Sequence, residues 1–300
     1  MKVLNFGSLN LDYVYQVESI LIPGETQASK SRQIFCGGKG LNQSIALAKA
    51  GIPVYHAGLI GEGGEPLLEV CKENGVNTEF IRQIPGPCGH TVIQVDENGQ
   101  NCILLFGGSN RSMTKEFVDT VLDSFEEGDI ILLQNEINMV GEIIRLSHEK
   151  GCRVVFNASP IPGKPEELPL ELVDIFMVNE LEAAALAGTS TEGDFRDILK
   201  ALQKKYPKAA IVMTLGKEGV FYGYKEEFYS HPIFKVNAVD TTAAGDTFCG
   251  YFLAALCAEK SVETALREAS AASAMAVSAK GAAPSIPVHS AVEEWLCGRS

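Results

Sequence analysis

Five short apolar runs, each followed at once by small and polar residues, constrain the fold of this chain more than any other feature. The runs are residues 3–6, 130–133, 154–156, 175–178 and 211–213. Largely apolar runs of this length are typical of strands buried on both faces, as in a parallel sheet covered by helices. Ligands of open α/β sheets bind beyond the carboxyl ends of the strands, so the polar residues that follow these runs point to one shared cleft.

Helical patterns alternate with the apolar runs. Residues 39–50 carry apolar side chains at helical spacing and stop at Gly51, and a second helix is expected from Asp246 to Glu259. A chain of 300 residues with this alternation predicts one large α/β domain.

Two further regions predict a small separate sheet. Residues 11–35 hold two extended runs around a Pro-Gly turn, and residues 88–106 predict a hairpin with an Asn-Gly turn. A lone sheet with an apolar face needs a partner, so we expect this lid to cover the cleft and to pair with a second subunit as a homodimer. The expected division is a core of residues 1–10, 36–87 and 107–300, with a β lid of residues 11–35 and 88–106.

Charge and composition exclude several classes of partner. A net charge of −13 and an isoelectric point near 4.9 argue against nucleic acid or an anionic membrane, because both need basic surface. The opening residues do not resemble a signal peptide and no apolar run is long enough to span a membrane, so we expect a cytoplasmic protein. The 8 Cys are scattered without a Cys-x-x-Cys pair, which favours reduced thiols over zinc ligands or disulfides.

The segment 237–248 carries the strongest chemical pattern. Ala243, Ala244 and Gly245 run directly into a helix, where their N–H groups and the helix dipole would form an anion pocket. A carboxylate at the same helix start, Asp246, can accept the proton of an attacking hydroxyl. An Asp N-cap explains the same residue equally well, and residue chemistry leaves both interpretations open.

Two other segments suit a polyhydroxylated ligand. Residues 36–43 are not a Walker A loop, but a Gly-Gly turn into a helix could bring backbone and Asn42 against a small polyol; a plain turn is the alternative. Asn10 and Asp12 occupy alternate positions of an extended segment and would face the same side, as two sugar hydroxyls require. An Asx-turn remains open for this pair. Glu136 and Glu182 are either site carboxylates or surface residues.

Taken together, these segments resemble the PfkB carbohydrate kinase (ribokinase-like) family from end to end. The shared motifs are Gly-Ser-Leu-Asn-Leu-Asp at 7–12, Pro-Gly-Glu-Thr at 23–26, Gly-Gly-Lys-Gly-Leu-Asn-Gln at 37–43, Asn-x-x-Glu at 179–182, Thr-Leu-Gly-Lys-Glu-Gly at 214–219, Asp240 to Asp246, and residues 280–287. The resemblance implies a three-layer α/β/α domain with a central, mostly parallel sheet and a small β-sheet lid. It also implies transfer of the γ-phosphate of ATP to a primary hydroxyl of a small sugar.

The resemblance also implies residue roles and cofactors. Asp246 matches the catalytic base, beside an anion hole of Ala243, Ala244 and Gly245. Sugar binding is implied for Asn10, Asp12, Gly38, Lys39, Asn42 and Glu136, together with Asp246. Nucleotide contacts are implied for Asn179, Thr214, Leu215, Gly216, Lys217, Glu218, Gly219, Gly245 and Ser270. Glu182 matches a Mg²⁺-linked carboxylate, and K⁺, as activator, would be held by Asp240, Thr242, Ala276, Ala279, Gly281 and Ser285.

D-Ribose, giving ribose 5-phosphate, is the first choice of acceptor, because Asp12, Glu136 and the Gly-Gly-Lys-Gly-x-Asn-Gln stretch together resemble a ribose-binding set. Deoxyribose, a ketohexose, ketodeoxygluconate or a nucleoside remain alternatives, since one hydroxyl contact can decide between such substrates. A sugar sensor without catalysis is a different class on the same fold. The missing Gly-x-Gly-x-x-Gly fingerprint disfavours an NAD-dependent oxidoreductase.

Overall fold

A computed structural model describes residues 1–299, which form thirteen strands and nine α-helices. The strands are β1 Val3–Phe6, β2 Asn10–Gln16, β3 Ser31–Gly37, β4 Val54–Glu62, β5 Asn77–Pro87, β6 His90–Val95, β7 Asn101–Phe106, β8 Ile130–Gln134, β9 Arg153–Asn157, β10 Ile175–Asn179, β11 Ala210–Thr214, β12 Val220–Tyr224 and β13 Glu227–His231. The helices are α1 Lys39–Lys49, α2 Glu65–Glu73, α3 Lys115–Leu122, α4 Val140–Glu149, α5 Glu180–Ala187, α6 Phe195–Lys205, α7 Ala244–Cys257, α8 Val262–Val277 and α9 His289–Cys297.

Nine strands form the large sheet, in the order β13-β12-β11-β10-β9-β8-β1-β4-β5. Every neighbouring pair from β11 to β5 is parallel, whereas β12, near one edge, pairs antiparallel with both β11 and β13. All five apolar runs form strands of this sheet. The predicted α/β fold with a mostly parallel central sheet is confirmed.

Helices cover both faces of the large sheet, and this explains why the strand sequences are largely apolar. Within β8, Ile130 and Leu132 belong to one hydrophobic core, whereas Ile131 and Leu133 belong to the other. Side chains alternate between the two faces of a strand, so a strand between two helical layers buries every position. Helices α1, α2, α7, α8 and α9 enclose one core, and α3 to α6 enclose the other.

Helix α1 packs against α7 at unusually close range. A Cβ atom added to Gly250 of α7 would lie 2.4 Å from the Cβ atom of Ala46 in α1, which is closer than two non-bonded carbon atoms can approach. Glycine at position 250 therefore allows the two helices to touch through their backbones. Helix α1 ends as predicted just before Gly51, which has a φ of 92°.

Helix α7 begins two residues earlier than the sequence indicated, at Ala244 instead of Asp246. The preceding residue, Ala243, has a left-handed backbone with a φ of 59°, and its carbonyl accepts a hydrogen bond from the N–H of Thr247. This turn reverses the chain sharply and lets the helix start directly after it. Asp246 therefore lies in the first turn of the helix and is not its N-cap.

The small sheet has the strand order β3-β2-β6-β7. Strands β2 and β3 pair antiparallel, as do β6 and β7, while β2 and β6 pair parallel and join the two hairpins. The predicted hairpin at 90–95 and 101–106 is confirmed, with Gly99 of its turn at a φ of 77°. Within residues 1–299, no helix has both the length and the apolar character that a bilayer crossing demands.

Candidate active site

The carboxyl ends of the central strands and the start of α7 enclose a cavity of about 210 Å³. Asn157, Asn179 and Thr214, the last residues of β9, β10 and β11, line it. Lys39 at the start of α1 and Asp246 of α7 face the same space. The shared cleft expected beyond the strand ends is therefore present, and it brings together residues that are as much as 210 positions apart in the sequence.

Asp246 is buried, and its carboxylate is held from α1. Asn42 donates a hydrogen bond from Nδ2 to Oδ2 at 3.0 Å, and Gln43 donates from Nε2 to Oδ1 at 2.9 Å. A side chain that caps the helix would instead accept bonds from the backbone of its own first turn. The carboxylate of Asp246 is therefore oriented by tertiary contacts, and the N-cap interpretation does not hold.

The loop before α7 presents a helix start to the cavity. Ala243, Ala244 and Gly245 line the space, and the left-handed backbone of Ala243 is an unfavourable conformation for a residue with a side chain. The N–H of Ala244 makes a long hydrogen bond to the carbonyl of Thr241 at 3.3 Å. The N–H groups of a first helical turn have no partners within the helix, and together with the helix dipole they favour an anion at this position.

Lys39 brings a positive charge to the cavity. Burial opposes the charged ammonium, but the nearby carboxylates of Asp246, Glu136 and Glu182 outweigh burial and raise the pKa of Lys39. The backbone N–H of Lys39 also donates to Oε2 of Glu136 at 3.1 Å. Lys39 is therefore charged at neutral pH and lies between three acidic side chains.

The side chains of Asn10 and Asp12 share one face of β2, as the alternation predicted. Oδ1 of Asn10 accepts a hydrogen bond from Nδ2 of Asn110 at 2.7 Å, and Oδ1 of Asp12 accepts from the hydroxyl of Thr91 at 2.5 Å. Burial raises the pKa of Asp12 to about 6, and the charge of Glu136 adds to this, while the Thr91 hydrogen bond opposes it. These residues belong to a strand, so the Asx-turn alternative does not hold.

The glycines at the start of α1 serve close backbone approach. A Cβ atom on Gly40 would lie 2.3 Å from the backbone N of Ser8, and one on Gly37 would lie 2.0 Å from Oδ2 of Asp12. The hydroxyl of Ser8 accepts from the N–H of Gly40 at 3.2 Å and donates to the carboxylate of Glu136. The Gly-Gly segment is therefore more than a turn, since it fixes α1 against the loop that follows β1.

A second cavity of about 520 Å³ lies beside the first. Of the residues matched to nucleotide contacts, Thr214, Gly216, Lys217, Gly219, Gly245 and Ser270 line it. Leu215 is instead buried in a hydrophobic core, Glu218 does not line the cavity, and Asn179 lines the smaller one. The two cavities share Thr214, Thr241, Ala244, Gly245 and Phe248.

The Asn-x-x-Glu motif forms a capping box at the start of α5. The side chain of Asn179 accepts from the N–H of Glu182 at 2.8 Å, and Oε2 of Glu182 accepts from the N–H of Asn179 at 2.9 Å. This arrangement stabilises the helix start. Both residues also line the smaller cavity, so the motif has a structural role there in addition to any ligand contact.

The residues matched to a monovalent cation lie where two loops meet. Oδ1 of Asp240 accepts from the N–H and hydroxyl of Thr242 at 2.9 and 2.6 Å, and Oδ2 accepts from the N–H of Gly281 at 3.0 Å. Burial opposes ionisation of Asp240, but these three hydrogen bonds outweigh it and lower its pKa. On the neighbouring segment, the carbonyl of Ala276 accepts from the N–H of Ala279 at 3.1 Å, and the hydroxyl of Ser285 donates to the carbonyl of Ala282 at 2.8 Å. Within residues 1–299, no three His, Cys, Asp or Glu side chains are grouped as metal ligands.

Sequence reasoning did not assign several polar residues that contact the site. Ser8 and Asn157 follow apolar runs and Gln43 ends the motif at 37–43, so signals for all three were available. Asn110 follows a Gly-Gly-Ser stretch and meets Asn10 across 100 positions. No local pattern reveals a contact over that distance.

Comparison with known proteins agrees with this geometry. Residues 1–289 match the model of the pfkB family carbohydrate kinases. The ribokinase of Haemophilus influenzae is 35% identical over 297 residues, covering 97% of this chain and 96% of the relative. The ribokinase structure of Thermotoga maritima superposes with a TM-score of 0.89 at 34% identity, covering 99% of both chains. The Arabidopsis thaliana ribokinase complexed with ribose and ATP gives a TM-score of 0.86 at 31% identity, covering 98% of both chains. The family predicted from the sequence is confirmed, and the chain belongs to the pfkB family of carbohydrate kinases.

Proposed function

We propose that this protein is an ATP-dependent ribose kinase that transfers the γ-phosphate of ATP to the primary hydroxyl of D-ribose and releases ribose 5-phosphate and ADP. The observation that carries the proposal is the placement of Asp246. Asp246 lies in the first turn of α7, and its carboxylate accepts hydrogen bonds from side chains of α1. It faces a cavity that Lys39 also lines. A base, a cation and a helix N-terminus in one cavity suit phosphoryl transfer to a hydroxyl group.

The acceptor sugar lies between the small sheet and the start of α1 in this proposal. Asn10 and Asp12 on β2 and Glu136 after β8 supply hydrogen-bond acceptors for hydroxyl groups, and Gly38, Lys39 and Asn42 supply the facing side. Oδ1 of Asn42 is buried and has no hydrogen-bond partner among residues 1–299, which leaves an acceptor available. Ribose is favoured because full-length relatives named as ribokinases reach 35% identity, whereas full-length relatives named as deoxyribokinases are 28% identical.

The nucleotide occupies the larger cavity in this proposal. Ile233, Val236 and Val277 give it apolar walls suited to the faces of a base, and Ser270 lies among them. Thr241, Ala244 and Gly245 belong to both cavities, so a γ-phosphate at the start of α7 would reach the sugar side. The loop at 214–219 then lies along the nucleotide.

In the reaction, Asp246 accepts the proton of the primary hydroxyl while that oxygen forms a bond to the γ-phosphorus and the bond to the β-phosphate oxygen breaks. The N–H groups at Ala243 to Gly245 stabilise the charge on the transferring group, and Lys39 adds a positive charge beside it. Burial of the sugar beneath the small sheet excludes water, which would otherwise compete as acceptor.

Two cations fit the residues present. Mg²⁺ is normally bound through substrate phosphates and only one or two carboxylates, and Glu182 faces the cavity in which those phosphates would lie. When bound, Mg²⁺ would neutralise charge on the phosphates. K⁺ fits the junction of the 240–242 and 276–285 loops, where the Asp240 carboxylate already ties the two together. It would shape the loop before α7 without touching the substrate.

We further propose a homodimer formed through the small sheet. Leu104 is 70% exposed, and Ile34 and Phe106 on the same face of the sheet are also exposed; Phe35, Leu105 and Ile103 (57% exposed) lie on the opposite face. An apolar sheet face of this kind is normally covered in solution. Cytoplasmic location is supported by the buried thiols of Cys71, Cys88, Cys152 and Cys249, which form no disulfides.

The test measures ADP release with Mg-ATP and K⁺ on ribose, deoxyribose, fructose, ketodeoxygluconate and adenosine. Strong turnover on ribose with a loss of about a hundredfold or more in Asp246→Asn supports the proposal. Turnover on another acceptor would retain the kinase and change the substrate. Ribose binding without ADP release would favour a sensor, and near-normal turnover of Asp246→Asn would remove Asp246 from the role of base.

A further inference from the structure

A row of buried amide side chains leads away from Asp246 into the core. Nε2 of Gln43 donates to Oδ1 of Asp246 at 2.9 Å and to Oδ1 of Asn157 at 3.0 Å. Oε1 of Gln43 accepts from Nε2 of Gln134 at 2.7 Å, and Gln134 also donates to Oδ1 of Asn5 at 2.9 Å. Gln43, Gln134 and Asn5 are all fully buried.

The far end of the row is anchored as firmly as the near end. Nδ2 of Asn5 donates to the carbonyl of Gly40 at 2.8 Å and to the hydroxyl of Ser44 at 2.9 Å. That hydroxyl lies 2.8 Å from Nδ1 of His56, whose Nε2 lies 3.2 Å from the carbonyl of Gly7. Every amide in the row is therefore fixed by a neighbour that is itself hydrogen-bonded.

These contacts determine which way the Gln43 amide points. Its oxygen faces the N–H group of Gln134, so its NH₂ group must face the carboxylate of Asp246. The reverse orientation would set the amide oxygen against a carboxylate oxygen and the NH₂ group against another NH₂ group. A donor is therefore held permanently toward the carboxylate of the base.

Gln43 and its neighbour Asn42 hold one carboxylate oxygen each. A carboxylate has about four acceptor positions, so two contacts from α1 fix its plane and leave the others for a substrate hydroxyl. Gln43 lines neither cavity and is completely buried, so it does not touch a ligand. Its contacts with the site pass through Asp246 and Asn157.

We infer that Gln43 is a positioning residue for phosphoryl transfer, which orients the carboxylate of Asp246 from the protein interior. The inference rests on the proposed role of Asp246 as base. Loss of the Gln43 donor leaves the sugar and nucleotide contacts in place but removes one charge-assisted hydrogen bond from the base. Turnover should then fall while substrate affinity stays.

The test compares Gln43→Met with the parent protein in the ribose-dependent ADP assay. We expect kcat to fall about tenfold or more, and KM for ribose and for Mg-ATP to stay within about threefold. The same substitution in an Asp246→Asn background should lower kcat no further, because two residues that act as one unit are not additive. Asn138→Leu is the matched control: this amide bonds only to the backbone of Met113, and its loss should lower the melting temperature without changing kcat.

An equal loss of kcat from Gln43→Met in the parent and in the Asp246→Asn background would overturn the inference, since the residue would then act on the fold as a whole. An unchanged kcat in Gln43→Met would also overturn it, and would leave the proposed function intact. Full turnover of Asp246→Asn would instead overturn the assignment of the base, and this inference with it. If Gln43→Met does not fold, Gln134→Met removes the partner that orients the amide and should give the same pattern with a smaller loss of kcat.

Discussion

The affinity for ribose should depend on pH through Asp12. Burial, with a contribution from the charge of Glu136, raises the pKa of Asp12 to about 6. An ionised carboxylate accepts hydrogen bonds from two sugar hydroxyls, whereas the protonated group loses part of that capacity. Lowering the pH through about 6 should therefore weaken ribose binding and leave the phosphoryl-transfer step itself intact.

The size of the effect follows from the fraction of Asp12 that is ionised. With a pKa of about 6, roughly ten elevenths of the molecules carry the carboxylate at about pH 7 and roughly one eleventh at about pH 5. KM for ribose should rise about tenfold over this range if only the ionised form binds. The folding stability of the unliganded protein should depend on pH in the opposite direction. The raised pKa of Asp12 contributes stability that is fully present below about pH 4 and is lost as the pH rises through about 6.

The assay is the initial rate of ADP release at saturating Mg-ATP between about pH 5 and pH 8. Thr91→Val provides a sharp control, because the Thr91 hydroxyl donates to Asp12 and lowers its pKa. The midpoint of the KM profile should therefore move to higher pH in Thr91→Val. Asp12→Asn should bind ribose weakly at every pH and show a flat profile. A KM that stays constant in the parent protein, or an unchanged pH dependence in Asp12→Asn, would refute this reasoning.

Three other predictions follow from features outside the sugar site. Burial lowers the pKa of His56 to about 4 from 6.5, so stability present above about pH 6.5 should fall by roughly 3 kcal/mol as the pH drops to about 4. Urea unfolding at both ends of that range should show a smaller loss in His56→Gln, and equal losses would contradict the assignment. Leu104→Asp in the exposed face of the small sheet should convert a dimer to monomers in analytical ultracentrifugation, whereas an unchanged mass would place the interface elsewhere. Asp240→Ala should abolish activation by K⁺ with Mg-ATP still bound, and an unaltered salt dependence would remove the cation from this loop.

Most of the architecture was predictable because buried strands and tight turns have characteristic local sequences. The apolar runs gave five central strands, and an Asn-Gly turn between two alternating segments gave the β6–β7 hairpin. The start of α7 was misplaced by two residues because the left-handed conformation of Ala243 has no signature when the residue is alanine. Glycine would have marked it.

The contacts of the site were less predictable because they join distant parts of the chain. Gln43 and Asp246 are 203 positions apart, and only the packing of α1 on α7 brings them together. The Asn179–Glu182 pattern shows a second limit, since a helix-capping box and a ligand-binding pair require the same residues at the same spacing. Local chemistry alone does not separate the two.

The close approach of α1 and α7 at Gly250 has a consequence for how the site responds to mutation. Gly250 lies four residues, or about one helical turn, beyond Asp246, on the helix that carries the base. The helices that bear the base and its donors meet there with only the methyl group of Ala46 between their backbones, so the position of α7 on α1 depends on this glycine. A single methyl group added at position 250 would push α7 away from α1. This shift would move the carboxylate of Asp246 away from the sugar hydroxyl that it deprotonates, although the methyl group would touch neither the sugar nor the nucleotide.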